Sequence, residues 1–151
     1  MVRKPQEEPD AARAAALATE LRVLFGRLKR RLREQANTNQ FTGSQLAVVR
    51  HLYLDGPATV TTLAKAEGVR PQSMGATIAV LEAAGFVRGV PNPADGRQTI
   101  LSLTETCLQM IKAGQSARED WLARAIQTNL TVAEQEQLAA GVELLKRVVD
   151  S

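Results

Sequence analysis

The side chains best suited to chemistry in this 151-residue chain are hydrogen-bonding groups rather than nucleophiles. Arg70, Gln72, Ser73 and Thr77 fall close together, and Arg97 follows an Asp95-Gly96 turn signal. Forked guanidinium donors and amide groups pair with base edges in a nucleic-acid groove, and an Arg on a hairpin suits minor-groove insertion or phosphate contact. Catalytic chemistry has little to work with. His51 and Cys107 are the only residues of their kinds, and neither a phosphate-cradling Gly loop nor a His/Cys/acid cluster with metal-ligand spacing occurs. No enzyme activity, metal site or cofactor is expected.

The elements that must position these residues lie between Thr61 and Thr104. Thr61 is expected to cap a short helix whose first apolar contacts are Leu63 and Ala64. Gly68 should end it in the left-handed conformation, with Val69 packing the turn. Pro71 suits the first position of a second helix, where its missing N–H is not needed. There Met74, Ile78 and Leu81 share one face by their spacing. Gln72, Ala76, Ala79 and Ala83 point the opposite way, with Ser73 and Val80 beside them. So small and uncharged an exposed face befits a helix that lies in a groove. Gly85 closes the helix, and the period then becomes strand-like: Phe86, Val87 and Val90, then Thr99, Ile100, Leu101 and Leu103, around a polar loop. Ala58 to Val60 is expected to add a third strand. The stretch predicts a helix-turn-helix followed by a β-hairpin wing. For Arg97, an ion pair with Asp95 is the competing role.

The run from Leu63 to Thr104 resembles the MarR family of winged-helix transcription regulators. The resemblance is carried by Leu63-Ala64 with Gly68-Val69, by Leu81-Glu82 with Gly85-Phe86-Val87, and by Asp95-Gly96-Arg97 followed by Leu103-Thr104-Glu105. It implies a dimeric, double-stranded-DNA-binding regulator whose effector relieves repression. In one respect the chain departs from the family. Arg70 stands where Ser or Thr often caps the recognition helix, and no basic residue follows until Arg88. Base readout is therefore expected of Arg70, Gln72, Ser73, Ala76 and Thr77, phosphate contact of Thr61, Thr62 and Lys65, and wing contact of Arg97, supported by Asp95 and Gly96. Helix capping is the competing role for Thr61 and Thr62.

Long helices flank this lobe. From Asp10, Leu17, Leu21, Leu24, Leu28 and Leu32 make a heptad-like seam beside a basic run from Arg27 to Arg33. Thr42 with Gln45 predicts a capping-box start to a helix burying Leu46, Val49 and Tyr53. After the wing, Thr104 should cap a helix to about Thr128 with Leu108, Ile111, Leu122 and Ile126 on one side and Met110, Ala117, Trp121 and Ala125 on another. A last helix, from about Val132 to Val149, repeats the seam at Leu138, Val142, Leu145 and Val149.

These seams exceed what one small lobe covers, so a two-fold homodimer on a pseudo-palindromic operator is expected. The fold class is mainly α (α+β): a flexible tail at 1–9, a helical dimerisation region at 10–38 and 105–151, and a winged helix-turn-helix lobe at 42–104. A small-molecule effector pocket is expected to involve Val49, Arg50, Tyr53, Met110 and Trp121. Cys107 is expected to pack as a small hydrophobe, with oxidation sensing as the alternative. Charge falls along the chain: nine Lys and Arg against five acids in residues 1–40, five against four in 41–104, five against seven in 105–151. That gradient suits a DNA side and a separate effector or dimer side. No apolar run approaches the roughly 18 residues of a membrane span, and the lone Cys fits a reducing cytoplasm. A winged-helix module that docks protein instead of DNA is the alternative from another class, favoured by the uncharged helix face.

Overall fold

The computed structural model describes residues 7–37 and 40–151, with side chains described from Asp10 onward. It divides into two units, one of Asn37–Ser116 and one of the described part of Met1–Ala36 with Ala117–Ser151.

The first unit holds α2 (Gly43–Asp55), β1 (Ala58–Thr59), α3 (Val60–Glu67), α4 (Pro71–Ala83), β2 (Val87–Pro91), β3 (Thr99–Leu103) and the start of α5 (Glu105–Asn129). The second holds α1 (Glu7–Gln35), the remainder of α5 and α6 (Val132–Val149). The mainly helical winged-helix fold expected from the sequence is the fold observed.

In the first unit, α2 begins at the expected capping box: Thr42 Oγ1 accepts from the Gln45 amide at 3.2 Å, and the Thr42 amide donates to Gln45 Oε1 at 3.0 Å. Its buried stripe is Val48, Val49 and Leu52, not the expected Leu46, Val49 and Tyr53. Tyr53 is 45% exposed. The helix is apolar on most of its circumference, so periodicity alone does not choose which stripe faces inward; the neighbouring elements do. Those neighbours supply Leu63 and Ala64 from α3, Met74, Ile78 and Leu81 from α4, Val87 and Leu101 from the sheet and Cys107 from α5. Each fully buried large aliphatic here contributes about 1.5–3 kcal/mol relative to exposure.

The sheet has the order β1-β3-β2, both pairings antiparallel, with Thr59 opposite Ile100 and Gly89 opposite Leu101. Pro91 is tolerated in β2 because that strand is an edge. Val60, expected in the first strand, instead opens α3.

Gly89 occupies a crowded position on β2. A Cβ there would lie 2.5 Å from Thr99 Cγ2, 3.1 Å from Glu82 Oε1 and 3.3 Å from Leu101 Cδ2. Gly89→Ala should therefore destabilise the lobe by about 1 kcal/mol: overpacking costs about 1–3, and the stiffer unfolded chain returns about 0.4–1. Adding Thr99→Ser, which deletes the closest methyl, should recover most of the loss in urea titrations. Equal midpoints for Gly89→Ala and wild type would refute the steric account.

The start of α5 is tied to the end of α4. Thr104 Oγ1 donates to the Gly85 carbonyl at 2.6 Å and accepts from the Cys107 amide at 3.2 Å, while the Thr104 amide donates to the Phe86 carbonyl at 3.0 Å. Phe86 also packs edge-on against Phe41, ring centroids 5.0 Å apart. Cys107, Met110 and Ile111 turn toward the core, whereas Leu108, placed by its spacing on the same side as Ile111, is 39% exposed. The bond at Gly85 fixes the helix rotation and carries Leu108 outward.

In the second unit, α1 starts at Glu7, earlier than the expected Asp10. Pro9 falls in the first turn, where no i−4 carbonyl needs its missing N–H. The rest of the expected tail, residues 1–6, lies outside the described residues. Along α1, Leu17, Val23, Leu24 and Phe25 are exposed. Thr131 caps α6 in a second capping box, and its amide and hydroxyl hold the Glu134 carboxyl below the usual carboxylate range. No residue of α6 is buried within the chain, and Leu138, Val142, Leu144, Val148 and Val149 are all exposed. No helix among the described residues is long and apolar enough to cross a membrane.

Candidate nucleic-acid interface

α3 begins two residues earlier than its sequence suggests. Thr59, not Thr61, is the N-cap: its Oγ1 accepts from the Thr62 amide at 3.2 Å and lies 3.0 Å from Thr62 Oγ1. Pairing with Ile100 holds Thr59 in extended backbone at the sheet margin, which is the conformation a cap needs. Thr61 sits inside the first turn with its side chain exposed, so capping no longer competes for it. Thr62 is shared with Thr59. Lys65 is exposed one turn further along α3.

The turn between α3 and α4 follows from two residues. Gly68 adopts φ 66°, ψ 29°, the left-handed region, and the amides of Gly68 and Val69 donate back to the carbonyls of Lys65 and Ala64. Pro71 then starts α4. Val69 was expected to pack this turn, but it is 43% exposed. With Gly43, Ser44, Ala47, Glu67, Ser73, Met74 and Thr77 it lines a hollow of about 290 Å³.

On α4, Met74, Ile78 and Leu81 are buried as expected, and Gln72, Ala76, Ala79, Val80 and Ala83 are exposed on the far side. Arg70 occupies the N-cap position, where its guanidinium, a donor with no acceptor atom, makes no side-chain cap bond. Ser73 and Thr77 lie toward the flank that lines the hollow, and Thr77 Oγ1 donates to the Ser73 carbonyl at 3.3 Å. The centre of the exposed face is therefore Gln72 and Ala76.

The wing tip is organised by its own polar groups. The Asn92 amide donates to the Gln98 carbonyl at 2.8 Å, the Gln98 amide to the Asp95 carbonyl at 3.0 Å, and the Ala94 amide to Asn92 Oδ1 at 3.0 Å. Asp95 Oδ1 accepts from the Arg97 backbone amide at 3.1 Å. The carboxylate thus shapes the turn through the backbone. Among the described residues the Arg97 guanidinium forms no ion pair, and neither do Lys65 and Arg70. Three exposed cations with no internal partner, an uncharged helix face and a rigid hairpin can together contact phosphates and a groove floor.

The expected effector residues divide between the units. Within the first, Val49 is buried, Arg50 is exposed, Tyr53 accepts through its hydroxyl from Gln115 Nε2 at 3.3 Å, and half-buried Met110 receives Gln40 Nε2 on its sulfur at 2.8 Å. Within the second, Trp121 carries the Arg31 guanidinium 5.6 Å above its ring centroid, beside a hollow of about 370 Å³. Cys107 is fully buried, and burial pushes its thiol pKa up, which disfavours the reactive thiolate. His51 Nδ1 faces Asp55 Oδ2 at 3.4 Å. Three features escaped the sequence reading: Thr59 as cap, Gly89 as a crowded strand position and the Thr104–Gly85 tie. Only Gly89 had a local signal, since glycine inside a strand marks close approach.

Comparison with known proteins places this geometry. The sequence model of the MarR family matches residues 39–98. An HTH-type transcriptional regulator of Mycobacterium tuberculosis is 38% identical over 136 residues, covering 90% of this chain and 94% of that one. A transcriptional regulator of Thermotoga maritima, Tm0710, superimposes with a TM-score of 0.77 at 22% identity, covering 90% of this chain and 95% of that one. A mutant of S. aureus MepR, solved bound to an oligodeoxyribonucleotide, superimposes with a TM-score of 0.66 at 19% identity, covering 88% of this chain and 97% of that one.

Proposed function

The chain belongs to the MarR family of DNA-binding transcriptional regulators, and from that premise we propose that it is a homodimeric, ligand-responsive repressor of a pseudo-palindromic operator. The observation that carries the dimer is the uncovered apolar surface of the second unit. α6 buries none of its side chains within the chain, and α1 leaves Leu17, Leu24 and Phe25 about half exposed. Apolar seams of this length are covered by a second copy at least cost, because a two-fold axis presents each seam to its own complement. Two α4 helices then enter successive major grooves roughly 34–36 Å apart.

Arg70 and Gln72 act at base edges with Ser73, Ala76 and Thr77 beside them, while Thr61, Thr62, Lys65 and Arg97 hold the backbone or minor groove. A mutant of MepR, which has the same fold, was solved bound to an oligodeoxyribonucleotide, and this supports DNA as the partner of the lobe. Asp95 and Gly96 shape the wing turn. Effector response is assigned to Arg50, Tyr53 and Met110 around Val49 in one unit and to Trp121 in the other, because their exposed or half-exposed polar and aromatic groups suit a small ligand. The reducing cytoplasm is the expected compartment. The protein-docking alternative is not supported, since the relatives are HTH-type transcriptional regulators and, among the described residues, the cations at the interface form no ion pair.

The test is titration of the protein into fluorescent DNA from its own upstream region and into a scrambled duplex, across a salt series, with light scattering for stoichiometry. Two subunits per duplex, selectivity for the upstream sequence and a steep fall of affinity with salt are expected. A monomer in solution and on DNA would refute the dimer, and equal affinity for both duplexes would refute an operator in that region.

A further inference from the structure

The exposed face of α4 changes character along its length. Its first turn offers hydrogen-bonding groups, Gln72 and Ser73, with Arg70 at the cap. From Ala76 onward the centre of that face ends in methyl groups: Ala76, Ala79, Val80 and Ala83. Val80, a branched apolar side chain, is 54% exposed. Thr77 lies off the centre of that face, toward the hollow, and with its hydroxyl proton donated to the Ser73 carbonyl it offers only acceptor capacity. In a major groove the apolar feature that distinguishes one base from the others is the thymine C5-methyl, while an amide matches the N6 and N7 positions of adenine.

We propose that α4 reads its half-site in two parts, an adenine through Gln72 and thymine methyls through Ala76 and Val80. This rests on α4 being the DNA-reading helix. Residues four apart are about 6 Å apart along the axis, close to two base-pair steps of about 3.4 Å along the DNA helix axis. The adenine and the thymines should therefore recur at intervals of about two base pairs. Cytosine at a thymine position would present a polar amino group to a methyl surface and be rejected.

The experiment is selection of bound duplexes from a random pool with the full-length protein, followed by replacement of each selected thymine with deoxyuridine. That substitution removes the C5-methyl and keeps the pairing edge. One methyl should be worth on the order of fourfold in affinity. Val80→Ala, at an exposed helical site, should bring the thymine-to-uracil ratio at one position toward one and leave the other position unchanged. Gln72→Ala should abolish the adenine preference while both uracil effects persist. Tight, selective binding that is indifferent to uracil at every thymine, or G·C pairs at these positions, would overturn the two-part readout and leave DNA recognition by the lobe intact. A pool that yields no enriched duplex would overturn the DNA-reading assignment of α4 and this inference with it.

Discussion

Arg97→Ala should weaken operator binding by about 1–3 kcal/mol, roughly 5- to 150-fold, without changing the fold. The magnitude follows from where the guanidinium is and what it lacks. It stands at the foot of a hairpin whose turn is held by backbone and Asn92 and Asp95 contacts, none of which uses the Arg97 side chain. It forms no ion pair among the described residues, so its truncation strands no buried charge. Affinity lost is then affinity the side chain supplied to DNA. The slope of log affinity against log salt should become shallower by about one for each phosphate contact removed. Arg97→Lys should recover the salt dependence but only part of the affinity, because an ammonium keeps the charge without the planar fork. Fluorescence anisotropy on operator DNA, with circular dichroism as the fold control, measures both. Undiminished affinity in Arg97→Ala would remove the wing from the interface.

The largest effect on stability is expected at Leu81. It is 1% exposed and packs in the core that joins α2, α3, α4, the sheet and Cys107. Leu81→Ala deletes buried methyl groups and leaves a cavity, at a cost of about 2–5 kcal/mol. Against a typical total of about 5–15 kcal/mol, that is a large fraction of the stability of the lobe. The urea midpoint should fall with little change in slope, and DNA binding should fail at temperatures the wild type tolerates. Val80→Ala, the adjacent residue on the exposed face, should change stability by no more than about 0.5 kcal/mol. The contrast between neighbours is the check on which face of α4 is inside. A loss below about 1 kcal/mol at Leu81 would mean that the core is not organised around this helix.

Why these two neighbours differ was legible before any coordinates. Met74, Ile78 and Leu81 repeat at helical spacing, and the helix between Pro71 and Gly85 is bounded by residues with strong backbone preferences. The same holds for the left-handed Gly68, the capping box at Thr42, and the wing announced by Asp95-Gly96 between two strand-like runs. Each is a local matter of dihedral restriction or of one polar group meeting another a few residues away. Gln72 and Ala76 on the outer face of α4 followed from the same periodicity, whereas Ser73 and Thr77 proved to lie toward a hollow shared with α2.

Sequence alone therefore determined the elements, their order and the outward face of the reading helix, because those depend on contacts within one turn of helix or one hairpin. Tertiary structure decided which equivalent local choice was taken. Thr59 rather than Thr61 caps α3 because β1 pairs with β3 and sets where the strand ends. Val48 and Leu52 rather than Leu46 and Tyr53 are buried in α2 because a helix apolar on most sides turns whichever stripe fits its neighbours. Leu108 faces outward because Thr104, anchored to Gly85, sets the rotation of α5. Gly89 is crowded only once Thr99 and Glu82, ten and seven residues away, are folded against it. In each case the deciding contact comes from a segment distant in sequence, so no local pattern carries it.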